Sequence, residues 1–279
     1  MKQIFKRGSF FTLMFMLLGC LSLYAADNDL ITEQITIKLE KAGTLPDRIA
    51  SSEKYKITNL KIIDEINGTD LRMIREMAGS NSNGGSTDGK LSVLDLSEAK
   101  IVEGGDCYYD DFYTSNDVIG PFAFDGCSGL TSLNLPAGIT SIGSYAFYGC
   151  SGLTSLNLPA GITEIGNGAF SGCIGLTSIY VYAEKVPEIG RDVFEGVDAK
   201  KCTLYVPMGT RDDYWLSNFG DYFENIVEFD ATGIDKTTTS TDVEEVARYS
   251  VNGQRLSAPT KGLNIVKYSD GSVKKVAVR

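Results

Sequence analysis

No histidine occurs among the 279 residues, which removes the side chain most used as a general base and as a zinc ligand. Catalysis that depends on histidine is excluded. Bases are also scarce, with 26 Lys and Arg against 36 Asp and Glu and a net charge of −10. Residues 1–26 hold Lys2, Lys6 and Arg7 but no acid, so the deficit grows by three once they are gone. Such a surface repels nucleic-acid phosphates. There is no G-x-S-x-G elbow and no P-loop. The adjacent carboxylates Glu244 and Glu245, or Asp212 and Asp213, cannot flank a scissile bond from two sides as glycoside hydrolysis requires. Nothing points to a cofactor, and the chain reads as a non-enzyme.

Long hydrophobic runs are missing too. The one apolar stretch, Phe10 to Tyr24, is interrupted by Gly19 and Ser22 and is shorter than the ~20 residues a membrane span needs. Preceded by Lys2, Lys6 and Arg7 and followed by Ala25 and Ala26, it reads as an export signal over residues 1–26. Leu17-Leu18-Gly19-Cys20 resembles a bacterial lipobox, which offers lipidation at Cys20 as a second reading. Apolar residues continuing to Tyr24 favour cleavage near Ala25 or Ala26.

What the sequence has in abundance is repetition. Ile119 to Thr140, Ile142 to Thr163 and Ile165 to Pro187 are near copies, bringing Phe124, Phe147 and Phe170 into step, and likewise Leu133, Leu156 and Ile179. A fixed period of this length means stacked coils that bury their apolar residues against one another. Weaker copies at Ile57 to Ile62, Leu91 to Leu96 and Ile189 to Val206 raise the expectation to about six coils, against the three or more a stack needs. Alternation over Ser132-Leu133-Asn134-Leu135 predicts a short strand with leucines inward, paired in parallel with its neighbours. The phenylalanines should form an internal ladder.

The expected fold class is an α+β repeat protein, a leucine-rich repeat solenoid with short parallel strands, an N-terminal cap and a small C-terminal β module. The expected boundaries are an N-terminal cap and first weak coil at 27–90, the solenoid at 91–230, a threonine-rich linker at 231–242 and a β module at 243–279. Within the cap, Thr69 should open an amphipathic helix through Leu71, Ile74 and Met77. Residues 79–90 read as a flexible loop, and Asp106 to Asp117 as an insertion on one face. In the tail, Asn252-Gly253 and Asp270-Gly271 are hairpin dipeptides between short strands.

The repeats at 119–187, with Cys202 to Pro207 and Tyr214 to Ile226, resemble the BspA-like branch of the leucine-rich repeat proteins. Asn67 to Met77 and Leu91 to Gly105 are similar to the region that precedes those repeats, so the resemblance covers roughly residues 30–230. It implies a secreted or surface-attached bacterial protein credited with adhesion to host proteins or other cells, and it brings no catalytic residues. The tail, with Tyr249 to Arg255, Gly262 to Val266 and Lys275 to Arg279, is similar to the C-terminal sorting modules of type IX secretion substrates. The partners so implied are proteins or glycans on host or neighbouring cells, with no nucleic acid. Membrane contact would come only through a lipid anchor or the sorting tail.

Three clusters invite a site. Cys127, Cys150 and Cys173 lie one repeat apart, but a buried small residue at a turn explains them better than disulfides or zinc, since three in a row cannot all pair and sulfurs in a line do not converge. Asp106, Asp110, Asp111 and Asp117 could hold calcium, though their spacing fits no EF-hand and a solvated face is the plainer reading. With Tyr108, Tyr109 and Tyr113 interleaved, the insertion is a contact loop under either reading. The outward strand positions change from Ser132 and Asn134 to Tyr180, Tyr182 and Tyr205, the principal candidate ligand-binding patch. The alternative is that these rings merely cover the last coil near Trp215. Adhesion and a structural, scaffolding role at the cell surface both remain open at this point.

Overall fold

The structure, a computed structural model, describes residues 29–231, 245–250, 255–256, 258, 262–268 and 273–278. The expected export signal, Cys20, both hairpin dipeptides and nearly all of the linker lie outside the described residues. The chain divides into two compact units, Met1–Phe229 and Asp230–Arg279.

The first unit is the expected solenoid, and it rests on two ladders of parallel strands. The longer one runs Ile35–Lys38, Asn59–Ile66, Val93–Asp95, Ser132–Asn134 and then Ser155–Leu158, Ser178–Val181, Thr203–Pro207, Asn225–Phe229. Its two halves are joined by the Thr154 amide donating to the Thr131 carbonyl at 3.3 Å. The second ladder stacks the two-residue strands Val118–Ile119, Ser141–Ile142, Glu164–Ile165 and Glu188–Ile189. Pairing is like on like: Ile119 faces Ile142, and Leu156 faces Ile179, which faces Leu204. The strand ladder extends one strand beyond the periodic sequence at either end. Ile35–Lys38 pairs with Asn59–Ile66, and Asn225–Phe229 with Thr203–Pro207.

Between the ladders lies the core. Phe124 and Phe147 stack at 5.1 Å between centroids, Phe147 and Phe170 at 5.1 Å, and Phe170 and Phe194 at 5.6 Å, all within 7° of parallel. All of these rings are buried. Beside them Cys150 donates its thiol to the Phe124 carbonyl at 3.1 Å and Cys173 to that of Phe147 at 3.2 Å. The sulfurs are therefore free, packed turn residues. Burial pushes the Cys127 and Cys173 thiols up to about 12 and Cys202 up to about 11. Threonines form a further ladder that the periodicity did not reveal. The Thr154 and Thr177 hydroxyls each donate to a carbonyl one coil earlier, at 3.3 and 3.0 Å, and Thr163 does the same at 3.0 Å.

Two glycines show why the turns repeat so strictly. Gly149 sits at φ +68°, which side chains rarely adopt, whereas at Gly143 a Cβ would lie 2.5 Å from the Pro121 nitrogen. One position needs an unusual backbone, the other a close coil.

At the N-terminal end the helix Gly68–Met77 is capped by Asn67 and Asp70 in a reciprocal box, so Asn67, and not Thr69, opens it. The buried Asp70 carboxylate also accepts amides from Gly43 and Leu45. Residues 79–90, expected to be flexible, are fastened. Ser80 bridges Ser86, and the Asn81 side chain accepts from Asn83 and Gly85. At the other end Phe219 and Phe223 close over Phe194, at 5.9 and 5.0 Å. The second unit is an antiparallel sheet ordered Arg255–Leu256, Glu245–Ser250, Gly262–Tyr268, Val273–Val278.

Replacing Phe147, which packs on rings in both adjacent coils, with alanine should cost about 3–5 kcal/mol, read from urea unfolding. A loss below about 1 kcal/mol would show that the ladder relaxes to refill the gap. Of the five described cysteines only Cys107 is partly exposed, so alkylation at pH 8 should label it and spare the others. Since burial favours the neutral thiols only in the folded chain, their contribution is whole below the unfolded value of 9.0 and fades as pH rises towards about 12.

Candidate functional site

Because the inward side chains are locked in register, the outward ones form straight rows. One row crosses the strand face as Lys61, Asp95 and Asn134, then Asn157, Tyr180, Tyr205 and Val227. Its chemistry changes along its length. At one end Lys61 pairs with Asp95 at 3.4 Å and Glu98 at 2.6 Å. Glu98 raises the Lys61 pKa. Burial pushes Asp95 up, but bonds from Ser97 and Lys61 outweigh it and leave the carboxyl below its ordinary value. The middle is uncharged carboxamide.

At the far end the row turns aromatic. Tyr180 and Tyr205 stack at 4.3 Å and 7°. Phe229 stands edge-on to Tyr180 at 5.6 Å and to Tyr182 at 5.2 Å. Burial, and then the neighbouring Tyr205, raises the Tyr180 phenol. These rings are half-buried, and one of them, Tyr182, edges a shallow groove of about 360 Å³ lined also by Asn134, Asn157, Leu135, Ala137, Pro159 and Ala160. Tyr214, Phe219 and Phe223 fill the last coil from inside, while Phe229 of the last strand packs on Tyr180 and Tyr182 from outside. Phe229 went unnoticed in the sequence because it follows the repeats. Its register opposite Pro207 is what sets it beside the tyrosines.

The insertion is a β-hairpin, Gly104–Tyr109 with Phe112–Thr114, and it does not gather its candidates. Tyr108, expected in a contact loop, is fully buried and donates its hydroxyl to the Pro121 carbonyl at 2.9 Å. It lies against Gly120, where a Cβ would collide with the phenol oxygen, so it is a core residue. Tyr109 is half-buried, while Tyr113 is exposed. Asp106 accepts from the Thr69 hydroxyl at 3.2 Å and its amide donates back at 2.9 Å. Asp110 and Asp111 form the hairpin turn. Among the described residues no three His, Cys, Asp or Glu side chains converge on a point that could hold a metal ion. The aspartates stay apart because Asp106 is drawn to the helix while the turn carries the other two away.

The repeat register, the parallel ladders and the phenylalanine stack together set the comparison with known proteins. Residues 110–218 match the BspA type leucine rich repeat region, in 6 copies. No curated protein matches the chain significantly. BspA-type solenoids are in general non-catalytic scaffolds for protein interaction, and the row of carboxamides and phenols offers hydrogen bonds and apolar contact, not a nucleophile with its base. Among the described residues no helix is long and apolar enough to cross a membrane.

Phe229→Ala removes a ring packed edge-on to two tyrosines and should cost about 1–3 kcal/mol, two aromatic pairs at ~0.5–1.5 kcal/mol each. The tyrosine signal in near-UV circular dichroism should fall with it. An unchanged spectrum would mean that the ring does not hold Tyr180 and Tyr182 in place.

Proposed function

We propose that the chain is an exported bacterial protein that works outside the cell, by adhesion to proteins or glycans of a host or of neighbouring cells. It binds through the strand face of its repeats. Export is supported by the basic, apolar and small-residue order of residues 1–26, and by the likeness of the tail to type IX sorting modules. Lipidation at Cys20 is the alternative anchor. Proteins with BspA-type repeats are typically secreted or surface-borne, which agrees with this reading.

The observation that carries the binding role is the cluster of Tyr180, Tyr182, Tyr205 and Phe229 beside a largely apolar groove that Asn134 and Asn157 also line. Phenols give large contact area at little entropic cost, and they are enriched where partners bind. Tyr109 and Tyr113 on the hairpin are secondary contacts. A solenoid that only spaced other surface proteins would have no need of an aromatic cluster on one face, and this is the reason to prefer adhesion over a scaffolding role.

The test is binding of the purified chain to arrays of host matrix proteins and of glycans, beside a variant carrying Tyr180→Ser, Tyr182→Ser and Tyr205→Ser. Retention by some array members, at least tenfold weaker in a variant that unfolds at a similar temperature, is the expected result. Binding to neither array would move the assignment to the scaffolding role.

A further inference from the structure

The edge of the solenoid where the coils turn has an aromatic pile of its own, separate from the strand face. We propose that this edge is a second docking surface, which takes an arginine-bearing basic segment of a partner protein. The pile begins inside. The Arg75 guanidinium lies 4.8 Å from the Tyr109 ring centre. Tyr109 stacks on Phe122 at 5.1 Å and 10°, and Phe122 on Tyr145 at 5.4 Å and 16°. Tyr148 meets Tyr145 edge-on at 5.9 Å. The Tyr145 ring then lies over Gly168, where a Cβ would come within 2.6 Å of it.

Two features separate this pile from ordinary packing. Phe122 and Tyr145 hold φ at 56° and 57°, in the left-handed region, which is a genuine outlier for bulky side chains. The next coil places glycine at the same turn position and keeps the same backbone, with Gly168 at φ 59°. Rings are thus carried where the fold itself is served by glycine. Fastening the hairpin accounts for Tyr109, Phe112 and Phe122, which touch one another. It does not account for Tyr145 and Tyr148, which remain 40% and 48% exposed one coil further along.

Charge selects the occupant. Glu195 occupies the turn position of Tyr148 two coils on, as the matching amide bonds from Gly126 to Tyr148 and from Gly172 to Glu195 show, whereas Asp125, at that position in the preceding coil, is half-buried and already engaged by Arg75 and the Tyr109 hydroxyl. Asp192 occupies the position of Tyr145 two coils on, and Asp110 and Asp111 stand in the hairpin turn. The cations nearby are Arg75, which is buried and bonded to the carbonyls of Phe122 and Asn81, and the exposed Arg191 beside Asp192. Aromatic rings rimmed by carboxylates favour a planar cation that stacks and bonds at once, which is the property that separates arginine from lysine. Arg75 already uses the inner end of the pile in that way.

Fluorescence anisotropy of the full chain with two labelled nonapeptides, one alternating Arg and Gly and one alternating Lys and Gly, tests this. The arginine peptide should bind at least fivefold tighter. A variant with Tyr145→Asn, which the left-handed backbone tolerates, and Tyr148→Ser should lose at least tenfold in that affinity without a lower unfolding temperature. The strand-face variant should bind as the parent does. Equal binding of both peptides, no binding of the arginine peptide, or undiminished binding by the edge variant overturns the proposal. The strand-face reading stands or falls separately on the arrays.

Discussion

Four successive coils bury a phenylalanine in one column, Phe124, Phe147, Phe170 and Phe194, each stacked on the ring of the next coil, and much of the molecule follows from that constraint. The core is one coil thick, so Phe147 and Phe170 find their ring partners above and below them in the column. Near-parallel stacking at 5.1 Å holds only if each coil returns the chain to the same place. The repeat therefore fixes turn glycines, buried thiols and threonine hydroxyls along with the ring. A one-residue slip in a strand would turn its inward leucines to the outside, so the same constraint keeps the outward side chains in straight rows.

A stack of this kind has two raw ends, and each is closed by different chemistry. At the C-terminal side the column of rings ends in Phe219 and Phe223, set edge-on or tilted to Phe194, and the Tyr214 hydroxyl donates to the Ala183 carbonyl at 2.7 Å. Rotating the rings out of the stack is what terminates it. At the N-terminal side the closure is polar. Asp70 gathers three backbone amides under the helix Gly68–Met77, and Arg75 bonds the carbonyls of Phe122 and Asp125 in the first strict coil at 2.5 and 3.3 Å. A buried guanidinium fits here because it has several planar donors to satisfy several carbonyls at once.

How far the sequence disclosed all this depended on whether a feature repeats. Phe124, Phe147 and Phe170 recur at one spacing, so their ladder, the inward leucines and the free thiols were legible. The helix was legible from its apolar face. Arg75 was not, because an arginine beside Ile74 reads as solvent-facing, and only the carbonyls of a distant turn make its burial tolerable. Tyr108 was misread for a related reason. It belongs to an acidic, irregular segment, yet the hairpin turns it inward over Gly120. Tyr180, Tyr182 and Tyr205 stand out in the sequence because they depart from a known outward pattern, whereas Phe229 follows the repeats, and Phe122 and Tyr145 share a turn position whose residue changes to glycine and then aspartate in later coils.

The two aromatic groups also differ in how the fold tolerates them. Tyr180 and Tyr205 stand on paired strands, where a ring fits the pleat and stacks on its cross-strand neighbour without strain. Phe122 and Tyr145 occupy left-handed turns and hold a conformation that costs on the order of 1 kcal/mol each. Stacking with Tyr109 offsets part of that cost for Phe122, at about 0.5–1.5 kcal/mol per pair. Tyr145 gains the same from Phe122 on one face and an edge-on contact from Tyr148, while its other face lies over Gly168 in place of a ring. What distinguishes the outer part of the pile is an imbalance between strain and cover, since Tyr145 is held at φ 57° and yet stays 40% exposed. On the strand face no such imbalance exists, and there the argument for contact rests on the change from carboxamide to phenol along a row whose backbone stays the same.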